Sequence, residues 1–379
     1  MAIKRRQEAM LVLAYNIHSH PETAMNEHQA ATWLTQELES DGFSVERGIC
    51  DLPTAFRASY GKGKPIIAFI AEYDALPDIG HACGHNLIAT AAVAAATGSK
   101  EVAGSLGGTI QVIGTPAEEL QGGKIIMAER GAFAGLDAAL MMHPATHDSA
   151  TITALACMAL NVEFFGKEAH AAAHPDLGVN ALESMIISFN AINALRQQLR
   201  SDARIHGIIT DGGRAANVVP AHSAGRFLVR AGNLSYLNTL RDKVLECFKA
   251  GAAATGARLE YRWDDKAYYA PMRNNITMAR LYAENMERLG HAIPIFNPEQ
   301  SFGSTDMGNI SQIVPSIHTS VAIAPPGESE HTAEFARYTA GERALTQSLR
   351  AATALAMTAI DLLASPDTLA AVRQEFDKS

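Results

Sequence analysis

Between residues 65 and 145 three short apolar runs each end at polar residues able to hold a metal, and helical patterns follow the first two. The run 65–70, PIIAFI, leads into AEYDALPDIGHACGHN at 71–86 and then into an Ala-rich stretch over 87–97, where Gly98 is placed to end a helix. The run 108–114 leads directly into Thr115-Pro116-Ala117-Glu118-Glu119, with a helix expected near 123–130, and the run 137–142 ends at His143-Pro144. Apolar strands alternating with helices predict an α/β fold, a mostly parallel sheet with helices on both faces. In such sheets the working residues gather beyond the carboxyl ends of the strands.

Those strand ends carry a consistent chemistry. Glu72, Asp74, Asp78, His81, Cys83 and His85 stand within the first polar cluster. Carboxylate, thiolate and imidazole together are the donor set of a transition-metal site. The adjacent pair Glu118 and Glu119 can divide the labour, one binding metal and the other acting as general base. His143 has Pro144 after it, which biases its backbone to an extended conformation, and its place at a converging strand end makes it a ligand candidate. His18, His81 and His147 lack that alignment and are read as satisfied or exposed.

After about residue 153 the pattern changes. Strands are expected at 157–165, 224–230 and 258–263, with helices over 179–200 and 234–255, which describes a small inserted α+β domain. The first pattern then resumes: a helix at 275–289, a Gly/Ser loop at 302–308, a strand at 316–324 and a closing helix at 340–364. The expected division is 1–153 and 267–379 for the catalytic domain and 154–266 for the insertion. Arg226 and Arg230 are read as strand arginines facing solvent, with a substrate carboxylate as their alternative partner.

Composition excludes more than it assigns. A net charge of -9 argues against a nucleic-acid or anionic-membrane partner. Cys50, Cys83, Cys157 and Cys247 are scattered without a CxxC, as in a reducing compartment rather than a disulfide scaffold. The opening residues read as an amphipathic helix rather than a signal peptide, and no stretch has the length of a membrane span. A cytoplasmic location is the expectation.

Taken in order, EYDALPDIGHACGHN, TPAEE, MMHP, FFGKEAHAAAHP, GGRAANVVP, FGSTDMGN and EHTAEF resemble the M20 family of metallopeptidases and amidohydrolases, across nearly the whole chain. The Cys-x-His version is similar to the amidohydrolase branch, whose members act on N-acyl, aryl-acyl and β-alanyl amino acids. The resemblance implies a catalytic domain with an inserted lid that also forms a homodimer. It implies two divalent metal ions, zinc, manganese or cobalt, held by Cys83, His85, Glu119, His143 and His331. Glu118 then matches the general base, and Asp74 the acid that orients a ligand from behind. His170 and Asn217, in the lid, match residues that hold the substrate or the tetrahedral oxyanion. Two positions depart from the family: Glu72 stands where many members have His, and Asn86 where much of the branch has Asp.

The expected activity is hydrolysis of the amide bond of an N-acyl amino acid or dipeptide. A ureido hydrolase of the allantoate or N-carbamoyl type is the alternative within the same chemistry. A metal-free binding protein on the same fold is the alternative outside it, and the presence of Glu118 with every matched ligand argues against that.

Overall fold

The computed structural model describes residues 2–264, 268–297 and 303–378. Ten strands lie among them: β1 (Ser44–Arg47), β2 (Phe56–Lys62), β3 (Ile66–Glu72), β4 (Gly108–Thr115), β5 (Ala138–Ala145), β6 (Ala156–Phe165), β7 (Arg204–Asp211), β8 (His222–Ala231), β9 (Arg258–Trp263) and β10 (Ser316–Ala322). The chain divides into two compact units, the first built on Met1–Thr153, Met272–Ser301 and Asp306–Ser379, the second on Ala154–Pro271 and Phe302–Thr305. The boundary expected between 266 and 267, and residue 302 of the Gly/Ser loop, lie outside the described residues.

The first unit holds a six-stranded sheet in the order β1-β2-β4-β3-β5-β10. Its four strands β4, β3, β5 and β10 pair in parallel, and β2 and β1 add an antiparallel edge. Successive side chains of a strand point to opposite faces, yet nearly every residue of β3, β5 and β10 is buried. Both faces are therefore covered, which is why these strands read as continuous apolar runs rather than as alternation. Register places Glu72 opposite Thr115, so the polar turns after β3 and β4 leave the sheet at the same level.

The central helix, His85–Leu106, differs from its expected extent at both ends. It begins at His85, directly after Gly84, whose φ of +82 is left-handed and whose absent Cβ would lie 2.7 Å from Pro144 Cγ. It also runs through Gly98 instead of stopping there. A Cβ on Gly98 would come within 2.9 Å of the Ile3 side chain and 3.3 Å of Ala356 Cβ, so this glycine permits close helix packing and is not a cap. The closing helix, Glu342–Ala364, lies along this central helix, and a further helix, Pro366–Lys378, follows it.

The second unit has a four-stranded antiparallel sheet in the order β7-β8-β6-β9. β8 alternates buried positions with half-buried or exposed ones, and the buried ones, among them Phe227 and Val229, join a core with Phe164, Met185, Leu240 and Phe248 from β6 and the helices Ala181–Arg196 and Leu234–Thr255. Asn180 and Asn233 start those two helices by accepting backbone N–H bonds on their side chains. β7 has no counterpart among the expected strands. Arg230 departs from its expected solvent-facing position: it is half-buried, with Nη1 donating to Ser304 Oγ at 2.7 Å.

Candidate metal centre

Five segments of the first unit deliver the site. The β3 end supplies Glu72 and Asp74, and the turn into the central helix supplies Cys83 and His85. The β4 end supplies Glu118 and Glu119 through Ala117, whose φ of +60 and ψ of +42 are left-handed. β5 supplies His143, which lies inside the strand, and a loop supplies His331, itself at φ +62.

Ligating atoms of these residues meet. Cys83, His85 and His143 form one group with donor atoms within 4.8 Å of one another, and Cys83, Glu119 and His331 form a second. His85, Glu118 and Glu119 form a third, and Glu72, Glu118 and Asp306 a fourth. Cys83 Sγ is 3.4 Å from His143 Nε2, His85 Nε2 is 3.7 Å from Glu119 Oε1, and His331 Nε2 is 3.5 Å from Glu119 Oε2. All five residues expected to be ligands are thus brought together.

Contacts behind the site orient them. Asp74 Oδ1 accepts from His85 Nδ1 at 3.0 Å, which turns Nε2 to the site, while Oδ2 accepts the Glu119 backbone N–H at 3.0 Å. His143 Nδ1 donates to the Pro144 carbonyl at 2.6 Å, so its Nε2 also faces inward. Burial opposes charge on both members of the Asp74–His85 pair, and their mutual attraction overrides it. The imidazole is held above its ordinary value and the carboxylate below its own.

Three inward atoms are buried without a hydrogen-bond partner: Glu72 Oε2, His85 Nε2 and Glu119 Oε1. Buried acceptors are almost always satisfied, because leaving them bare forfeits their hydration. Orphans converging from three segments fit a cation among them. Burial, with the Glu119 carboxylate beside it, pushes the Cys83 thiol well above its usual value, and a cation alongside would reverse that preference. The donor set of thiolate, imidazole and carboxylate suits a transition metal.

Residues that spacing did not single out complete the surroundings. Lys124 is fully buried, with Nζ 2.6 Å from Glu72 Oε1 and 2.7 Å from Asp306 Oδ1. Burial works against its charge, and Asp306 and Glu72 outweigh burial, so the ammonium is held above its ordinary range. Glu118 is raised by burial and by the nearby Glu72 and Asp306 carboxylates. His318, on β10, stacks on His143 with ring centres 5.4 Å apart, and burial together with His143 pushes it well below its ordinary value. No local motif marks Lys124 or His318; the only sequence cue for Asp306 is its place in the STDMGN run.

His170 and Asn217 belong to the second unit, both exposed. They are brought to each other: His170 bridges to Val218, and Ala171 N–H donates to the Asn217 carbonyl at 3.0 Å.

With this geometry in place, comparison with known proteins is informative. Residues 68–358 match the model of Peptidase family M20/M25/M40. The chain is 38% identical to the Xaa-Arg dipeptidase of Mus musculus over 392 residues, covering 99% of this chain and 90% of that protein. It is 36% identical to a component of the p-aminobenzoyl-glutamate hydrolase of Escherichia coli (strain K12), over 72% of this chain and 61% of that protein. A solved dinuclear metal-binding peptidase of the M20 family from Bacillus subtilis superposes with a TM-score of 0.74 at 20% identity, covering 94% of this chain and 99% of that one. The chain belongs to peptidase family M20/M25/M40. Within it, the protein is a hydrolase of amide and peptide bonds, of the amidohydrolase and dipeptidase kind.

Proposed function

We propose that this protein hydrolyses the amide bond of a dipeptide or N-acyl amino acid at a two-metal centre, with Glu118 as general base. The observation that carries the reading is the convergence of buried Cys83 and His85, half-buried Glu119 and His143 and exposed His331 on one space that leaves inward acceptors bare. Cys83, His85, Glu118 and Glu119 are each common to two of the donor groups, so any of them would serve more than one ion. Zinc, manganese and cobalt are the candidate ions: thiolate and imidazole suit zinc, and carboxylate suits manganese. When bound, such ions supply an electrophile for the substrate carbonyl oxygen and lower the pKa of water.

The protein's own groups do the rest. Glu118 takes a proton from the attacking water and returns it to the amine nitrogen as the carbon–nitrogen bond breaks, so water and amide become acid and amine. Its neighbour Glu119 is a ligand, so the adjacent carboxylates serve different ends. Asp74 keeps the His85 imidazole and the Glu119 backbone in place. His170 and Asn217 hold the substrate, and the second unit pairs with its counterpart in a second copy of the chain.

Likeness to the Xaa-Arg dipeptidase along nearly the full length supports a dipeptide with a cationic carboxyl-terminal residue as the first substrate to try. The test is metal content per subunit, joined to release of free amino acid from Xaa-Arg and β-alanyl dipeptides, N-acyl and aryl-acyl amino acids and ureido compounds. About two ions, with dipeptide or acyl-amino-acid hydrolysis that ceases on chelation, is the expected result. Cleavage of ureido compounds alone would replace this reading with a ureido hydrolase.

A further inference from the structure

The two glutamates at the end of β4 depend on a backbone turn that alanine does not adopt readily. Ala117 sits at φ +60, ψ +42, a left-handed conformation that crowds the Cβ of any residue but glycine. Something must hold it there. Asp74 takes the N–H of Glu119, on the far side of Glu118. On the near side the Ala117 N–H donates to Glu27 Oε1 at 2.9 Å.

Glu27 is wholly buried and comes from a segment 90 positions earlier. It directly precedes the helix His28–Ser40 but does not cap it. Glu22 fills that role, accepting from the N–H groups of Gln29 and Ala30, which leaves Glu27 to turn inward. Each of its oxygens is used: Oε1 accepts from Met25 N–H as well as Ala117 N–H, and Oε2 accepts from Thr54 Oγ1 at 2.9 Å. The Thr54 carbonyl in turn accepts from the Tyr73 hydroxyl at 2.6 Å, between Glu72 and Asp74. One buried carboxylate thereby ties the turn after β4 to the turn after β3.

We propose that Glu27 is a positioning residue for the Glu118–Glu119 pair: through Oε1 it holds the Ala117 N–H and so fixes the left-handed turn from which both carboxylates are aimed. The catalytic consequence rests on the reading of Glu118 as base. What the turn needs is an acceptor oxygen at a given reach, not a charge. Glutamine supplies that oxygen, and its amide can donate to Thr54. Aspartate keeps the charge but falls short by one methylene.

The test compares Glu27→Gln, Glu27→Asp and Glu27→Ala in the metal-loaded full chain, with Glu118→Gln alongside. E27Q should keep kcat within about threefold of the parent, whereas E27D and E27A should lose at least about tenfold in kcat with KM little changed, since small misplacements of reacting groups are costly. In the metal-free protein, hydrogen exchange at the 117–119 amides should quicken in E27D and not in E27Q. The comparison of E27Q with E27D decides the matter even where E27A does not fold. E27D as active as the parent, or E27Q as impaired as E27D, would overturn the proposal. An active E118Q would instead overturn the base assignment, whereas an inactive E118Q beside a fully active, folded E27A would sink the role of Glu27 alone.

Discussion

Lys124 Nζ lies 2.6 Å from Glu72 Oε1, and neither side chain reaches solvent. The same ammonium is 2.7 Å from Asp306 Oδ1, so a tethered cation stands among carboxylates immediately behind the candidate metal centre. Glu72 stands where the sequence resemblance implies a histidine. Its carboxylate is 3.6 Å from His85 Nε2, close enough to compete for the site, yet its Oε1 is paired with Lys124.

Removing that cation strands two buried acids. Lys124→Met should lower stability by about 3–5 kcal/mol, the usual cost of breaking a buried ion pair from one side. Urea unfolding of the metal-free protein would measure it. Adding Glu72→Gln and Asp306→Asn to the same chain should recover part of the loss. An unchanged midpoint for Lys124→Met would show that the pairing contributes nothing net.

Ligand and base separate by their metal content. Glu118→Gln should lower kcat by roughly 10²–10⁴-fold, the range of a lost general base, while bound metal stays near the parent value. His143→Ala should lower bound metal as well as turnover. Equal metal loss in both variants, measured by elemental analysis, would mean that the two glutamates have been given each other's roles.

Metal binding should stabilise the fold measurably. An ion present at a hundred times its Kd adds about 2.7 kcal/mol. Thermal unfolding of the chelated protein should therefore shift upward with Zn²⁺, Mn²⁺ or Co²⁺, and less with Mg²⁺ or Ca²⁺, which prefer all-oxygen sites. Cys83→Ser should narrow that difference. A shift of equal size for all five ions would argue against a thiolate ligand.

In the second unit, His222 is held between Asp211 at 2.8 Å and Glu163 at 2.9 Å. Hydrogen bonds to Asp211 and then Glu163 raise its pKa above the ordinary histidine value. A raised histidine contributes stability fully below its unfolded pKa of about 6.5 and loses it as pH rises through the folded value. The group is solvent-screened, so the effect on stability is small. An NMR titration should place His222 above free histidine, and Asp211→Asn should bring it down. A His222 that titrates as free histidine would refute the bridge.

Much of the candidate site is legible in the sequence because its candidate ligands lie in short segments at strand ends. Burial on both faces makes parallel strands nearly all apolar, so their carboxyl ends show as abrupt changes to Glu, Asp, His and Cys. Cys83 and His85 sit on one turn, and Glu118 and Glu119 are neighbours. Gly98 misleads for the complementary reason. A glycine needed for close approach to Ile3 and Ala356 has the same letter as one that ends a helix.

The alternation of strands and helices, and the residue types able to donate to a metal, are legible along the chain, since each is written in a local pattern of polarity and residue type. What surrounds the candidate donors comes from contacts made across the fold. Lys124 and Asp306 meet across 182 positions, Glu27 reaches Ala117 across 90, and His318 stacks on His143 from another strand. Such pairings depend on strand order, parallel register and the depth at which a side chain is buried, and no spacing along the chain records them.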